Sequence, residues 1–326
     1  MILVTGSAGH LGEALMRSFR AEGVPARGMD IKPSPYTDIV ASITDRAALA
    51  EAMIGVGDVI NSATLHKPHV VTHSHQMFVD TNISGTLALL EAAIAAGVRA
   101  FVQTSTTSTF GSAMTPAFGE PAAWVTEDVM PIPRNIYGST KLAAEHLCEM
   151  VGRRGKLPVI VLRTSRFFPE EDDNAGRRSA FSRDNLQALE LLHRRVDIAD
   201  IVSAHRLALA KAPALGFGRF IVSATSPFTQ ADLPLLNRDA RAVIERHYPQ
   251  AESLFERAGW SFPPALDRVY VNARARDMLG WSPVHDFAHM LDCLAQGCDF
   301  RSDLARAVGS KGYHDEIFAE GPYPVD

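Results

Sequence analysis

Cysteine is scarce in this sequence, which has three among 326 residues: Cys148, Cys293 and Cys298. No two of them form a CxxC pair, so the spacing favours neither a disulfide framework nor a cysteine-based metal centre. Scattered thiols of this kind are typical of a reducing compartment. We therefore expect a cytoplasmic protein.

An excess of positive charge is also absent. The formal net charge is −5 at pH 7, which gives no electrostatic attraction to nucleic acid or to an anionic membrane. No apolar run approaches the ~20 residues that span a bilayer. The first predicted strand begins at residue 2, which leaves no room for a signal peptide. We expect a small-molecule substrate, with no nucleic-acid and no membrane partner.

The sequence does contain a glycine-rich turn close to its start. A short β-branched run, MILVT, predicts a strand buried on both faces, and helical spacing follows the turn. A second predicted strand ends in an acid. In order, the stretch comprises a strand (1–5), Gly6, Gly9 and Gly12, a helix (13–19), a strand (24–29) and Asp30.

Each part of this stretch has a physical role in holding a dinucleotide. Gly6 allows a tight exit from the strand, Gly9 lets backbone amides approach a pyrophosphate, and Gly12 lets the helix pack close to the sheet. The amides and dipole at the helix start hold phosphates. Asp30 can accept hydrogen bonds from a ribose diol, which favours NAD over NADP, although nearby Lys32 weakens that preference. We predict an NAD cofactor.

Strands and helices alternate with short links up to Arg163, which predicts a doubly wound parallel sheet of the Rossmann type, an α/β fold. Beyond Arg163 the alternation breaks. We predict a dinucleotide-binding domain over 1–165, to which 195–225 returns. Residues 166–194 and 226–326 are predicted to form a smaller, mostly helical C-terminal lobe that binds the substrate.

A second motif, Tyr-Gly-Ser-Thr-Lys, spans Tyr137 to Lys141. Residues four apart share a helix face, so the phenol and the ammonium can converge on one point. The cation favours the phenolate and lowers the tyrosine pKa, which makes Tyr137 a usable acid/base catalyst. Lys141 can also donate hydrogen bonds to the nicotinamide ribose.

Together these motifs resemble the extended short-chain dehydrogenase/reductases, and within them the NAD-dependent epimerase/dehydratase group. The glycine spacing GxxGxxG belongs to this resemblance, which covers nearly the whole chain. The matching segments are VTGSAGHLG (4–12), DVINSAT (58–64), DTNISGTLALLEAA (80–93), FVQTSTTSTFG (101–111), YGSTKLAAE (137–145), VLR (161–163) and LGWSP (279–283).

The resemblance implies further site residues. It makes Thr106 the catalytic hydroxyl beside Tyr137 and Lys141, with Ser105 as second choice, and puts Asn82 in a helix that supports the site. The expected cofactor contacts are Gly6, Gly9, His10, Leu11, Gly12, Asp30, Ile31, Ser62, Ala63, Thr64, Asn82, Thr104, Tyr137 and Lys141. The expected substrate contacts are Ser105, Thr107, His66, Arg166 and His193.

The resemblance also implies a homodimer. In this family two long helices of each subunit pack as a four-helix bundle, and the matching helices are predicted over Gln76–Gly97 and Tyr137–Val151.

Departures from the family pattern narrow the expected reaction. Members that dehydrate sugars carry acids just after the catalytic threonine, where this sequence has Thr107 and Ser108. Hydroxyls cannot do that acid/base work at neutral pH, which argues against a dehydratase. Arg166 and His193 occupy the positions where sugar-nucleotide epimerases have an asparagine and an arginine that hold the diphosphate.

Charged segments around the predicted lobe bear on the substrate. Arg166, Arg177, Arg178, Arg194 and Arg195 flank the pocket, and Arg166 in particular predicts an anionic carbohydrate. For Arg177 and Arg178 the plainer interpretation is surface charge. The acid run 170–173 (EEDD) is likewise interpreted as a solvated surface loop.

The loop of four histidines over 66–75 is interpreted as a polar pocket wall. His69 and His73 could share a metal ion if the loop were helical, but no carboxylate or cysteine accompanies them at ligand spacing, so we expect no metal.

Three functions remain open at this point. The first is an NAD-dependent epimerase acting on a secondary hydroxyl of a sugar or sugar nucleotide. The second is a dehydrogenase or reductase of a substrate such as a sugar acid. The third, which the retained Tyr137, Lys141 and Thr106 argue against, is an NAD-binding regulator without turnover.

Overall fold

The computed structural model describes residues 1–117, 119–312, 314, 318, 321 and 323. Seven parallel strands form its main sheet, in the order β3-β2-β1-β4-β5-β7-β8. The strands are β1 (Ile2–Thr5), β2 (Ala26–Asp30), β3 (Ile39–Val40), β4 (Asp58–Asn61), β5 (Ala100–Thr106), β6 (Ala123–Val125), β7 (Val159–Thr164), β8 (Phe217–Val222) and β9 (Arg268–Tyr270).

The strand order reverses between β1 and β4. From β1 the chain builds outward through β2 and β3 on one side, and through β4, β5, β7 and β8 on the other. In open α/β sheets a ligand binds beyond the carboxyl ends of the strands at such a reversal. The predicted doubly wound Rossmann-type sheet is therefore confirmed.

Helices cover both faces of the sheet and build the C-terminal lobe. They are α1 (His10–Ala21), α2 (Arg46–Ala52), α3 (His75–Phe78), α4 (Gly85–Ala95), α5 (Ile136–Arg153), α6 (Ala175–Ala180), α7 (Arg183–Glu190), α8 (Ile198–Leu215), α9 (Leu233–Leu236), α10 (Ala240–His247), α11 (Ala251–Ala258), α12 (Ala273–Leu279), α13 (Phe287–Gln296) and α14 (Asp303–Val308). Many begin at a side-chain cap, such as Asn135 before α5 and Asp197 before α8.

Helices α3 and α4 are joined by a π-helical segment, Val79–Ser84, into one continuous helix over His75–Ala95. By length and composition this helix could cross a membrane. It packs against α2 and α5, however, and buries Asn82 in its π-helical segment. Such packing is typical of a core helix, and π-helical segments are frequent at functional sites.

Separate apolar cores serve the sheet and the C-terminal lobe. Val4, Ile60 and Val102 belong to the core between the sheet and α1 and α8. A second core joins α7 with α9, α10, α11 and α13, around Leu192 and Phe255. The sheet's core also takes in side chains from beyond residue 226, namely Ala275, Leu279, Trp281 and Val308.

Two short strands lie outside the main sheet. β6 interrupts the proline-rich stretch 116–133 and pairs with β9 in a two-stranded parallel sheet. The hydrogen bond from the Ala123 amide to the Asp267 carbonyl continues this pairing. The proline-rich segment is thereby attached to the C-terminal lobe.

Candidate active site

The glycine-rich turn is close-packed at two of its glycines. Gly6 has φ +73°, and a Cβ there would lie 2.7 Å from the Ala63 amide nitrogen. A Cβ on Gly12 would lie 1.9 Å from the Gly6 carbonyl oxygen. Gly9 precedes α1 without a side-chain cap, so the first amides of the helix keep their donors for a ligand. This cradle fits a pyrophosphate.

Asp30, at the end of β2, is held against the same turn. Its carboxylate accepts hydrogen bonds from the amide of Ala8 at 2.9 Å and from that of Lys32 at 2.8 Å. These two bonds leave lone pairs for a ribose diol. Ile31, which follows it, is exposed.

The loop after β4 lies against the glycine-rich turn and is fastened by Asn82. Ser62 donates to the Thr5 carbonyl at 2.6 Å. The Asn82 oxygen accepts from the Thr64 hydroxyl at 2.8 Å and from the Leu65 amide, and its nitrogen donates to the Leu65 carbonyl and, at 3.0 Å, to Thr140. This amide has no hydrogen-bonding capacity left, so it positions the loop against α5 instead of contacting a cofactor.

The three predicted catalytic residues lie together at the carboxyl end of β5. Tyr137 and Thr106 are neighbours, and the Thr106 hydroxyl lowers the pKa of the phenol. Lys141, one turn further along α5, donates to the Thr104 carbonyl at 2.7 Å. All three side chains are buried. Thr104 itself directs its hydroxyl to His205 on α8, 2.8 Å away.

Burial dominates the acid/base properties of this group. Desolvation raises the pKa of Tyr137 to about 12, against the lowering effect of the Thr106 hydroxyl. Desolvation also lowers the pKa of Lys141 to about 8, although the Glu145 carboxylate raises it. The expected depression of the tyrosine pKa by the lysine is thus outweighed by burial in the protein alone.

The position of Ser105 contradicts its predicted role as a substrate contact and as the second choice for the catalytic hydroxyl. Successive strand residues point to opposite faces, so Ser105 is directed away from Thr104 and Thr106. Its hydroxyl donates to Glu145 at 2.6 Å, in a buried group where Arg163 binds the same carboxylate at 2.7 Å. Ser105 therefore supports α5 from within the core, and it is neither a substrate contact nor a substitute for Thr106. Thr107 is buried in the short turn that follows β5.

The histidine loop lies beside the catalytic group. The rings of His66 and Tyr137 are 6.1 Å apart. Desolvation and the nearby charges of His69 and Lys141 lower the pKa of His66 to about 3, so the ring is neutral at pH 7. His69 accepts a hydrogen bond from the His66 amide and packs 4.8 Å from the His73 ring.

Among the described residues, no group of three or more possible ligands could hold a metal ion.

The acid run 170–173 was predicted to be a solvated surface loop, but Glu170 and Asp172 are buried. Glu170 accepts hydrogen bonds from His10 at 2.7 Å, from the Ser310 hydroxyl and from the amides of Lys311 and Gly312. Desolvation would raise the pKa of Glu170, but these hydrogen bonds, that of His10 above all, lower it to about 2. The run therefore fastens the C-terminal segment to the start of α1.

Asp173 connects the same run to the histidine loop, through an ion pair with Lys67. The C-terminal segment reaches the same loop, because His314 bonds the Pro68 carbonyl at 2.9 Å. Both segments thus extend from the β1 side of the sheet to the loop after β4. These two segments pass over the strand reversal at which the predicted dinucleotide site lies.

Comparison with known proteins agrees with this geometry. The model of the NAD dependent epimerase/dehydratase family matches residues 2–216. The chain belongs to that family. A short-chain dehydrogenase/reductase superfamily protein from Agrobacterium tumefaciens with bound NAD is 25% identical, with a TM-score of 0.64 over 94% of this chain and 97% of that one. NAD is accordingly the cofactor, and the glycine cradle and Asp30 fit it.

Curated relatives within the family have more than one activity. A UDP-glucose 4-epimerase of Rhizobium leguminosarum bv. trifolii is 26% identical over 89% of this chain and 94% of its own length. A dTDP-glucose 4,6-dehydratase of Streptomyces antibioticus is 27% identical over 88% and 89%. A local match at 29% identity covers 49% of this chain but only 39% of an uncharacterised protein of Sinorhizobium fredii.

This family member pairs its predicted substrate-binding arginine internally. Arg166 donates to the Asp172 carboxylate at 3.3 Å and to the Glu171 carbonyl, and it lies over the Phe168 ring. His193 is buried, and desolvation lowers its pKa to about 3, so it supplies no positive charge for a diphosphate at neutral pH.

Arg177 and Arg178 also contact Asp172. Arg177 lies 3.9 Å from its carboxylate, and Arg178 donates a hydrogen bond to its carbonyl oxygen at 2.6 Å. They are therefore more than isolated surface charges.

Sequence reasoning missed the buried carboxylates Glu170, Asp172 and Glu190. A run of four acids between arginines gives one usable signal. Arg166 follows closely on a predicted buried strand, so a nearby carboxylate is needed to neutralise it.

Proposed function

We propose that the chain is an NAD-dependent, epimerase-type enzyme that moves a hydride at a secondary hydroxyl of a sugar or sugar nucleotide. The observation that carries this proposal is the buried group of Tyr137, Thr106 and Lys141 at the carboxyl end of β5. A phenol, a hydroxyl and an ammonium in this arrangement suit proton removal from an alcohol.

In the proposed reaction Tyr137 removes the hydroxyl proton of the substrate. NAD, held by the glycine cradle and Asp30, would supply the acceptor for the hydride of the same carbon. Thr106 donates a hydrogen bond to the developing carbonyl oxygen, and Lys141 supplies positive charge beside the phenol. Since burial raises the tyrosine pKa to about 12, charge at Lys141 and on the oxidised nicotinamide must offset it.

Return of the hydride to the other face of the ketone would complete an epimerisation, whereas release of the ketone would make the enzyme a dehydrogenase. Dehydration is disfavoured, because Thr107 and Ser108 stand where an acid would be needed. A non-catalytic NAD-binding role is disfavoured by the assembled group of Tyr137, Thr106 and Lys141.

A substrate panel tests these alternatives. The NAD-loaded protein is incubated with UDP-, GDP- and dTDP-sugars and with free sugar acids. NADH absorbance and the proton NMR spectrum of the sugar are then followed. Inverted stereochemistry without net NADH supports the proposal, whereas stoichiometric NADH assigns a dehydrogenase and a 4-keto-6-deoxy product assigns a dehydratase. Cofactor binding with no turnover of any substrate would favour a regulator.

The substrate is proposed to be anionic, with Arg166 among its contacts. Support comes from the arginines around the acid run, although His193 would contribute only a neutral hydrogen-bonding group. We also retain 1–165 with 195–225 as the cofactor domain and 166–194 with 226–326 as the substrate lobe, which the second apolar core supports. The free thiols of all three cysteines support a cytoplasmic location.

A homodimer through the two long helices is also proposed. Along one face of the His75–Ala95 helix, Val79, Ile83 and Leu87 are only half-buried, and Met77 is 47% exposed. On α5, Met150 is 40% exposed. A second copy would cover these side chains in a four-helix bundle. A monomer mass by light scattering at micromolar concentration would contradict it.

A further inference from the structure

Four arginines share two buried carboxylates in the substrate lobe. Asp172 lies 3.3 Å from Arg166, 3.2 Å from Arg194 and 3.9 Å from Arg177. Glu190 lies 2.6 Å from Arg194, 2.8 Å from Arg195 and 3.8 Å from Arg166. We call these six residues the arginine cluster. Two of its positive charges have no counterion within the cluster.

The cluster adjoins an open pocket whose lining includes Arg166, Asp172, Glu190 and Arg195. In the part of the chain that the structure describes, the buried Nε atoms of Arg166 and Arg194 have no hydrogen-bond partner. Buried guanidinium donors are normally satisfied, so these two atoms mark unused binding capacity in the cluster. Arg166 carries part of that capacity to the wall of the pocket.

Asp172 and Glu190 lie on different kinds of backbone. Residues 169–174 connect β7 to α6 without regular secondary structure, and Glu171 and Asn174 in this connection are exposed. Glu190 by contrast is the last residue of α7. A shift of the connection would withdraw Asp172 from the arginines and leave Glu190 in place.

The same segment reaches the catalytic group. Asp173 is paired with Lys67, and the adjacent His66 ring lies 6.1 Å from that of Tyr137. An oxyanion that entered the cluster would therefore belong to a molecule whose other end could lie close to Tyr137.

We propose that Asp172 occupies the place of the substrate's anion and competes with it for Arg166, Arg177 and Arg194. Substrates that carry a diphosphate or a carboxylate would displace Asp172 and satisfy the cluster, whereas neutral sugars could not. Asp172 is thus a specificity-determining residue. The proposal rests on the proposed function for the identity of the anion as part of the substrate.

Removal of the competing charge should strengthen anion binding. UDP and D-glucuronate serve as probes, titrated by calorimetry into the NAD-loaded protein at low salt. Asp172→Asn should bind at least one of them fivefold or more tightly than the wild type. Glu171→Gln, which removes the same charge from an exposed neighbour, should change affinity less than twofold.

The two probes distinguish the source of the oxyanion. A gain for UDP assigns a diphosphate, and a gain for D-glucuronate alone assigns a carboxylate. Unchanged or weaker binding of both probes by folded Asp172→Asn would overturn the proposal, because Asp172 would then only hold the arginines in place. Since no turnover is measured, failure here is distinct from failure to epimerise a sugar.

A second variant applies if Asp172→Asn does not fold. Arg177 is the outermost arginine of the cluster, with its side chain 36% exposed. Arg177→Gln should weaken binding of the better probe at least fivefold. Arg154→Gln, an equal change of charge at the exposed end of α5, should not. Equal affinities of these two variants would also overturn the proposal.

Discussion

The two halves of the site are built on different physical principles. On the cofactor side, steric fit of the backbone decides the structure, as at Gly12, where a Cβ would lie 1.9 Å from the Gly6 carbonyl. On the substrate side, ion pairs between distant segments decide it, as at Glu170, which is bonded to residues 140 to 142 positions away. The cofactor side should therefore tolerate changes of pH and salt that disturb the substrate side.

Tyr137→Phe, at the junction of the two halves, should have the largest effect. Loss of the phenolic hydroxyl removes the proton acceptor, so turnover should fall roughly 100- to 10,000-fold. Single-turnover reduction of NAD measures this fall. NAD affinity, followed by cofactor fluorescence, should stay within about twofold of the wild type. Turnover at wild-type rate would remove Tyr137 from the mechanism.

Gly12→Ala tests the steric character of the cofactor side. The added Cβ would meet backbone that cannot move aside. Thermal unfolding should therefore show that the free energy of unfolding falls by about 1–3 kcal/mol, and NAD affinity should fall as well.

Gly57→Ala is the matched control, because the nearest atom to its Cβ is the Met1 carbonyl oxygen at 4.0 Å. Its stability should change by less than about 0.5 kcal/mol. Equal unfolding temperatures for the two variants would contradict the steric account.

Glu170→Gln tests the electrostatic character of the substrate side. The pKa of Glu170 is lowered from its ordinary value of 4.5 to about 2, so its carboxylate stabilises the fold above pH 4.5. The carboxylate contributes at most about 3 kcal/mol to the free energy of unfolding, and this contribution is lost as the pH falls from 4.5 towards 2.

Unfolding by urea at several pH values between 5 and 2 should accordingly show a shallower pH dependence for Glu170→Gln than for the wild type. Glu171→Gln, at an exposed position, should keep the wild-type slope. Parallel curves for all three proteins would show that the His10 and Lys311 contacts of Glu170 contribute nothing to acid stability.

Asp30→Asn should have the smallest effect, on cofactor choice alone. The wild type should bind NAD more tightly than NADP, because the carboxylate repels a 2′-phosphate. The variant should narrow that ratio by about tenfold, which corresponds to 1.4 kcal/mol. Lys32→Gln should widen it. The dissociation constants of NAD and NADP are measured by fluorescence titration. An unchanged ratio in Asp30→Asn would show that residues other than Asp30 select the cofactor.

Local patterns were sufficient to predict the cofactor side. The strand, glycine turn, helix and acid of residues 1–30 form one continuous stretch, and the spacing of Tyr137 and Lys141 needs only a helix. All of these elements appear in the structure where the sequence placed them.

Features that depend on distant segments could not be predicted in the same way. β5 runs to Thr106, and the alternation along it turns Ser105 into the core, where its partner Glu145 lies 40 positions away in the sequence. β6 and β9 have three residues each and pair across more than 140 positions. The acid run resembled a surface loop because its partners, Arg194 and Lys311, lie far along the chain.

The bonds between Glu170 and residues 310–312 have a practical consequence for handling the protein. An affinity tag fused close after residues 310–312 would place its weight and charge next to those bonds. A tag before Met1 would instead extend from the start of β1, at the opposite end of that strand from the glycine-rich turn. Purification through the N-terminus is the choice that leaves the binding measurements undisturbed.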